Sequence, residues 1–225
     1  MNYNLIKFIN QGFTLTEVLI ALAIVSVIAS MTIPSLLKNI ENRELRIAFK
    51  KTYTELSQAT QRMVFDNDGT TIGNCSTNAD CVKNKYVSYL KVIKHCDTGK
   101  SNGNCWHAND GSTRNLSGTT YSEWGNHPAF ILNNGSIIRL WLLSNCNIKT
   151  YSGKGSCGEF TVDVNGLKKP NTIGRDIFFI HLHSNDISPW GTSEDDTNSQ
   201  SQSSNCSKNL SGFGCAALAL QDKIY

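Results

Sequence analysis

Glu17 is the side chain that most demands a chemical role. It is the only charged residue between Phe13 and Leu37, a run of 25 residues. At the centre of a membrane helix such a charge costs about 2.5–3.5 kcal/mol on insertion scales. Near the end of the run the cost is lower, yet the carboxylate still requires a cation. Three other groups of residues have types suited to chemistry. Asp163, Asn165, Asn171 and Asp176 in "VDVNGLKKPNTIGRD" supply oxygens at loop spacing, the ligand type that calcium takes. The simpler reading is an Asn-Gly turn whose side chains bond their own backbone. His181 and His183 form a His-x-His pair of the kind zinc uses, but no carboxylate cluster accompanies them. The third group is eight cysteines, at 75, 81, 96, 105, 146, 157, 206 and 215. None has the C-x2-C spacing of a zinc or redox site.

The elements that must position these residues read as follows. The run 13–37 exceeds the roughly 20 residues needed to cross a bilayer as a helix. It is also longer than the apolar core of a cleaved secretory signal, about 7–15 residues. Pro34 lacks an amide donor, so the helix is expected to kink or melt locally near residues 30 to 34. Beyond it Leu45, Phe49, Thr52, Leu56, Ala59 and Met63 recur at steps of four and three, one face of a continuing helix. Thr52 is the weak point of that stripe. Asp66-Asn67-Asp68-Gly69 should end the helix, with Gly69 as the stop.

"CVKNKYVSYLKVIKHC" spaces Val82, Tyr86, Leu90 and Ile93 for a second amphipathic helix, with Lys83, Lys85, Lys91 and Lys94 on its solvated face. Residues 97–128 are rich in Gly, Ser, Asn and Thr and read as loop. Within them Trp106, His107, Trp124 and His127 are expected to anchor packing rather than bind ligands. "AFILNNGSIIRLWLL" is a hairpin around Asn133-Asn134-Gly135-Ser136, and two more strands fall at about 160–164 and 177–183. In the latter, Phe178, Ile180 and Leu182 share one face, His181 and His183 the other. "GTSEDDTNSQSQSSN" is polar and low in complexity. "CAALALQDKIY" has two readings, a last helical turn or a strand, stapled back by Cys215.

Charged residues are 17% and the net charge is +3, so the chain lacks the electrostatic footprint of a nucleic-acid binder. An even set of scattered cysteines after an apolar segment indicates disulfides formed outside the cytoplasm; the competing reading is buried free thiols. Eight cysteines allow 105 connectivities, and spacing alone does not choose among them. Chain-adjacent pairing, Cys75–Cys81, Cys96–Cys105, Cys146–Cys157 and Cys206–Cys215, closes only short loops and is the expectation. No Ser-His-Asp or Cys-His arrangement has motif-level support, so catalysis is not expected.

Gly12-Phe13-Thr14-Leu15-Thr16-Glu17 and the apolar run after it resemble the cleavage and methylation motif of type IV prepilins and type II secretion pseudopilins. Pro34 is similar to a proline that family often carries. The resemblance implies that a prepilin peptidase cuts between Gly12 and Phe13 and N-methylates Phe13. Glu17 becomes the fifth residue of the mature chain. Its carboxylate can then neutralise the Phe13 amine of a neighbouring subunit, satisfying two charges otherwise stranded in an apolar filament core. The implied fold is α+β: a long N-terminal helix packed on an antiparallel sheet, with disulfide-pinned loops. Its parts are a leader (1–12), a membrane and assembly helix (13–37), the amphipathic half of that helix (38–66) and a globular head (67–225). The loop at 162–176 also resembles a stretch many pilin-like proteins carry, and several pseudopilins hold calcium in a loop at the sheet. No other cofactor is expected.

The implied function is a structural subunit of a pilus or secretion filament. Its partners would be other pilin or pseudopilin subunits, the peptidase, an inner-membrane assembly platform and, before assembly, membrane lipid. It would sit in the inner membrane as a single-pass protein with its head outside the cytoplasm, then in a cell-surface or periplasmic filament. The alternative is a minor subunit acting as adhesin or DNA-capturing protein through the lysine face and the loop 191–205. One feature opposes this orientation. The leader holds only Lys7, whereas the far flank carries Lys38, Arg43, Arg46, Lys50 and Lys51 against Glu41 and Glu44. Cytoplasmic flanks usually carry the excess of cations. The cysteines and the motif both require the C-terminal part outside, and they outweigh the count.

Overall fold

The structure, a computed structural model, describes residues 12–122, 125–143, 146, 148–149, 155–192 and 202–224. The leader up to residue 11, Trp124 and residues 193–201 of the polar stretch therefore lie outside the described residues. Helix α1 runs Leu15–Asp66 as one helix with Pro34 inside it, so the chain does not melt there. The chain divides into two compact units at Glu41 and Asn42. In the first, the apolar residues of α1 are exposed on every side of the helix. That segment is long and apolar enough to cross a membrane.

In the second unit α1 buries Leu45, Phe49, Thr52, Leu56, Ala59, Thr60 and Met63, the stripe read from the sequence with one addition. Thr52 is not a defect in that stripe. Its hydroxyl lies 2.9 Å from Ser136 Oγ, which donates to Val164 O at 3.1 Å, so the buried polar atoms are satisfied. Phe49 stacks on Phe178 with centroids 4.1 Å apart. The helix stops at Asp66, where Gly69 adopts φ +83° and its N–H returns to Val64 O at 2.9 Å. Glycine takes that left-handed conformation without steric cost, and the returning bond satisfies an end carbonyl.

Helix α2, Ala79–Tyr89, is capped by Asn78, whose side chain accepts from Cys81 N–H at 3.0 Å. It ends earlier than the spacing of Leu90 and Ile93 suggested. Val92–Cys96 is instead strand β1, and Ile93 is 68% exposed. Val92 sits opposite Leu132 and Lys94 opposite Ile131 of β2 (Ala129–Leu132), with the register shifting at Ile93, and this pairing prevails over the helical period. The expected lysine face is corrected with it. Lys83 is completely buried and ion-paired with Asp97, with Asp80 Oδ1 3.7 Å away. Lys85 donates to Asn67 Oδ1 at 2.7 Å, and Lys94 belongs to β1, not to the helix.

The remaining strands are β3 (Ile137–Leu142), β4 (Ile148–Lys149), β5 (Gly155–Asp163), β6 (Ile177–His183) and β7 (Ile187–Pro189). They form an antiparallel sheet in the order β1-β2-β3-β5-β6-β7, with β4 on β5. The β2–β3 hairpin and β6 fall where expected, while β5 begins five residues before the anticipated start at 160. The row Leu140, Phe160, Ile180 faces α1 and joins one core cluster. The alternate row Ile137, Asp163, Ile177 lies on the opposite face. There Cys105, Trp106, Ala129, Ile173 and Phe179 form a second cluster. The Gly/Ser/Asn-rich segment 97–122 thus covers a sheet face, with isolated bridges as its only β pairing among the described residues. The C-terminal segment resolves as a helix, α3 (Cys215–Leu220), whose Ala217 N–H reaches Trp190 O at 2.8 Å.

The cysteines pair in chain order: Cys75–Cys81, Cys96–Cys105, Cys146–Cys157 and Cys206–Cys215, at separations of 6, 9, 11 and 9 residues. Each bridge holds a loop against its own element, which suits segments that otherwise lack regular structure.

Candidate functional site

Two places concentrate the residues with chemical potential. At the head of α1, Gly12 and Phe13 are exposed, Phe13 by 87%. Thr14 then caps the helix. Its N–H and its hydroxyl both donate to Glu17 Oε2, at 2.8 and 2.9 Å, and Glu17 N–H donates back to Thr14 Oγ1 at 3.2 Å. This reciprocal arrangement is a capping box, and its signature, Thr-x-x-Glu, stood in the sequence unread. Glu17 therefore does two things. It satisfies a free N–H at the helix start, and as an anion it suits the positive end of the helix dipole. Neither neutralises its charge, because both donors are neutral. The carboxylate is held in place one turn above the Gly12–Phe13 bond, with Oε1 taking no bond among the described residues.

The second place is the loop between β5 and β6. Asp163 ends β5 and is completely buried. Its Oδ2 lies 2.7 Å from His107 Nε2, and its Oδ1 accepts from Asn165 N–H at 3.1 Å. Asp176, equally buried, accepts from Asn171 N–H at 2.8 Å and from Thr172 N–H at 2.6 Å. Burial pushes both carboxyl groups above the usual carboxylate range, and the charge of Asp163 adds to the rise at Asp176. Asn171 sits at φ +52°, a conformation asparagine tolerates better than most residues. The side-chain oxygens of Asn165 and Asn171 are buried without a hydrogen-bond partner.

The structure thus brings the four candidate calcium ligands into one loop, and divides them. The carboxylates are engaged by protein donors, as a self-bonding turn requires, and the two amide oxygens are left over. No group of three or more His, Cys, Asp or Glu side chains is arranged to hold a metal among the described residues. His107 was expected only to pack; it is the partner of Asp163, from 56 residues away. Nothing in the local sequence signals that contact. Trp106 is buried with the Arg139 guanidinium 4.8 Å from its ring centre, and His127 lies against Trp141. His181 and His183 are both buried: His183 Nε2 is 2.8 Å from Ser188 Oγ, and His181 stacks on Trp190.

Residues 8–33 match a known motif, the prokaryotic N-terminal methylation motif. It is the signature of type IV prepilins and pseudopilins. No curated protein and no solved structure matches the chain. The motif covers Gly12, Phe13 and the capping box, so the acid at the head of the apolar run lies within the stretch the motif marks. It supports a pilin-like or pseudopilin-like protein of structural rather than catalytic type, anchored by its apolar helix. The motif also implies processing by a peptidase and assembly with other pilin subunits.

Proposed function

We propose that this chain is a structural subunit, pilin or pseudopilin, of a bacterial type IV pilus or type II secretion filament. A prepilin peptidase cuts between Gly12 and Phe13 and methylates Phe13. The subunit waits in the inner membrane with its head outside the cytoplasm, in contact with lipid and with an assembly platform. It then polymerises through α1 into a cell-surface or periplasmic filament.

The observation that carries this reading is the match at residues 8–33, on an exposed apolar helix with one acid at its head. The capping box adds a physical reason for the position of that acid. With Oε2 held by Thr14, the carboxylate keeps a fixed direction and can accept the ammonium created at Phe13 of a neighbouring subunit. A subunit out of register would strand both charges in an apolar core, so the pair selects register more than it adds stability.

The adhesin or DNA-capturing alternative has less support than the sequence offered it. Its lysine face is broken, since Lys83 is buried and Lys94 lies on a strand. Mass spectrometry of filaments sheared from cells tests the main reading. The mature chain should be found in them beside other pilins. Its retention in the membrane fraction alone, with filaments present, would count against a subunit role.

A further inference from the structure

A cleft of about 330 Å³ lies on the head, along the flank of α1 where the helix meets the start of β1 and the β2–β3 turn. Lys51, Glu55 and Arg62 line it from α1, Tyr89 and Lys91 from the junction of α2 and β1, and Asn133 from the turn. Steps of four and seven put the three helix residues on one side of α1. Lys51, Arg62 and Lys91 are exposed and make no ion pair among the described residues, and Glu55 is the one acid in the lining. Arg62 and Tyr89 also border a second hollow that includes Phe65, which is 87% exposed. Asp66 on that side already has a donor, since Tyr89 O–H reaches its Oδ2 at 2.7 Å. Arginine, tyrosine and phenylalanine are residue types that protein interfaces concentrate. All of these residues belong to the unit that begins at Asn42.

The chain carries one sequence of matching charge. Glu194-Asp195-Asp196 are its only consecutive acids. They begin two residues after Thr192, beyond β7, and β7 and β1 are opposite edges of the sheet with four strands between them. At a strand spacing of about 4.8 Å those edges stand roughly 24 Å apart. The four residues from Thr192 to Asp196 reach about 14 Å when fully extended. Helix α1 also stands between the two. Tyr53, about 200° round the helix from Lys51, turns away from the cleft. Its hydroxyl donates to Ile187 O of β7 at 3.4 Å. The tether of the acids is therefore on the far flank from the cleft, and the run falls short of the cleft in its own chain.

We propose that the cleft lined by Lys51, Arg62 and Lys91 receives the Glu194–Asp196 run of a second copy of this chain. The proposal rests on the filament-subunit reading and deepens it by naming a contact between heads. A cleft on one flank and its complement on the other make a head-to-tail contact, which continues from copy to copy where its rotation does not close a ring. Cations and carboxylates that meet at a surface fix orientation and register more than they add affinity. Salt screens them over a Debye length of about 10 Å at 0.1 M.

The test starts from filaments sheared from cells that express the native chain. A carbodiimide joins an amine to a carboxylate without a spacer, and covalent dimers are then separated on a denaturing gel. Peptide mapping of the dimers should find Lys51 or Lys91 linked to residues 194–196, and 0.5 M salt during coupling should reduce that link several-fold. Arg62→Glu with Lys91→Glu should lower filament yield several-fold, and so should Glu194→Lys with Asp195→Lys. All four substitutions in one chain should restore much of the yield, which separates a lost contact from a misfolded head. Dimers linked only elsewhere, cleft lysines linked to another protein, or a link confined to monomers would overturn the proposal and leave the subunit reading standing. Filaments that lack the chain would contradict the subunit reading itself and the proposal with it. The coupling arm uses the native chain, so the outcome does not depend on the variants folding.

Discussion

At the scale of single residues, the molecule depends on how few charges are allowed in apolar places and what each is given as a partner. Glu17 has neutral donors at home, and in the proposed assembly its cation comes from a neighbouring subunit. Glu17→Ala should insert into the membrane at least as well as the native chain, since it removes a charge from an apolar helix. Filament yield, measured by shearing and blotting, should nevertheless fall sharply. Unchanged yield would give the acid no purpose beyond its cap. Asp163 is the opposite case, a carboxylate whose partner is already present. Asp163→Ala leaves the His107 imidazole buried without its acceptor, which costs about 1–3 kcal/mol. Thermal melting of the detergent-solubilised chain would register it. The same melts, run in millimolar calcium and in chelator, should coincide, because protein donors already hold both carboxylates. A calcium-dependent rise that Asp163→Ala removes would instead assign the two leftover amide oxygens to a cation.

At the scale of elements, what the sequence shows plainly is periodicity, and what it hides is contact. The buried stripe of α1, the β2–β3 hairpin and β6 were legible because apolar residues recur at the period of their element. The end of α2 was not, since Leu90 and Ile93 satisfy the helical spacing while Val92–Cys96 pairs as a strand. Lys83 misled for a related reason. A lysine on the polar side of a short helix is ordinarily solvated, whereas Lys83 is buried and ion-paired with Asp97, where the chain returns. This gives an asymmetric expectation. Lys83→Met keeps the buried volume and frees Asp97 into water, so stability should change little. Asp97→Ala strands a buried ammonium with Asp80 at 3.7 Å, and its melting temperature should drop further. Comparable losses in the two variants would mean that the lysine is hydrated after all. The local disulfides belong to this scale as well. Replacing Cys75 and Cys81 together by alanine should cost about 2 kcal/mol in the loop-entropy account. Non-reducing peptide mapping should return four chain-adjacent pairs, and any bridge joining the two halves of the chain would contradict the pairing seen here.

At the scale of the whole molecule, the chain divides its labour between an apolar helix whose side chains are exposed among the described residues and a head that buries both faces of a sheet. The first part was readable almost entirely from sequence, because a motif of consecutive residues specifies it. The second was readable in class and not in detail. Its outer layer is the segment 97–122, whose Gly/Ser/Asn composition reads as loop and conceals that Trp106 and His107 are buried against the sheet. Everything proposed about assembly depends on the amine that cleavage would create at Phe13. The most direct measurement is therefore intact mass and N-terminal sequencing of the chain extracted from membranes of cells that contain a prepilin peptidase. The account predicts a single mature form that begins at N-methylated Phe13 and lacks the twelve residues before it. A chain that keeps Met1, or begins at any residue other than Phe13, would contradict it.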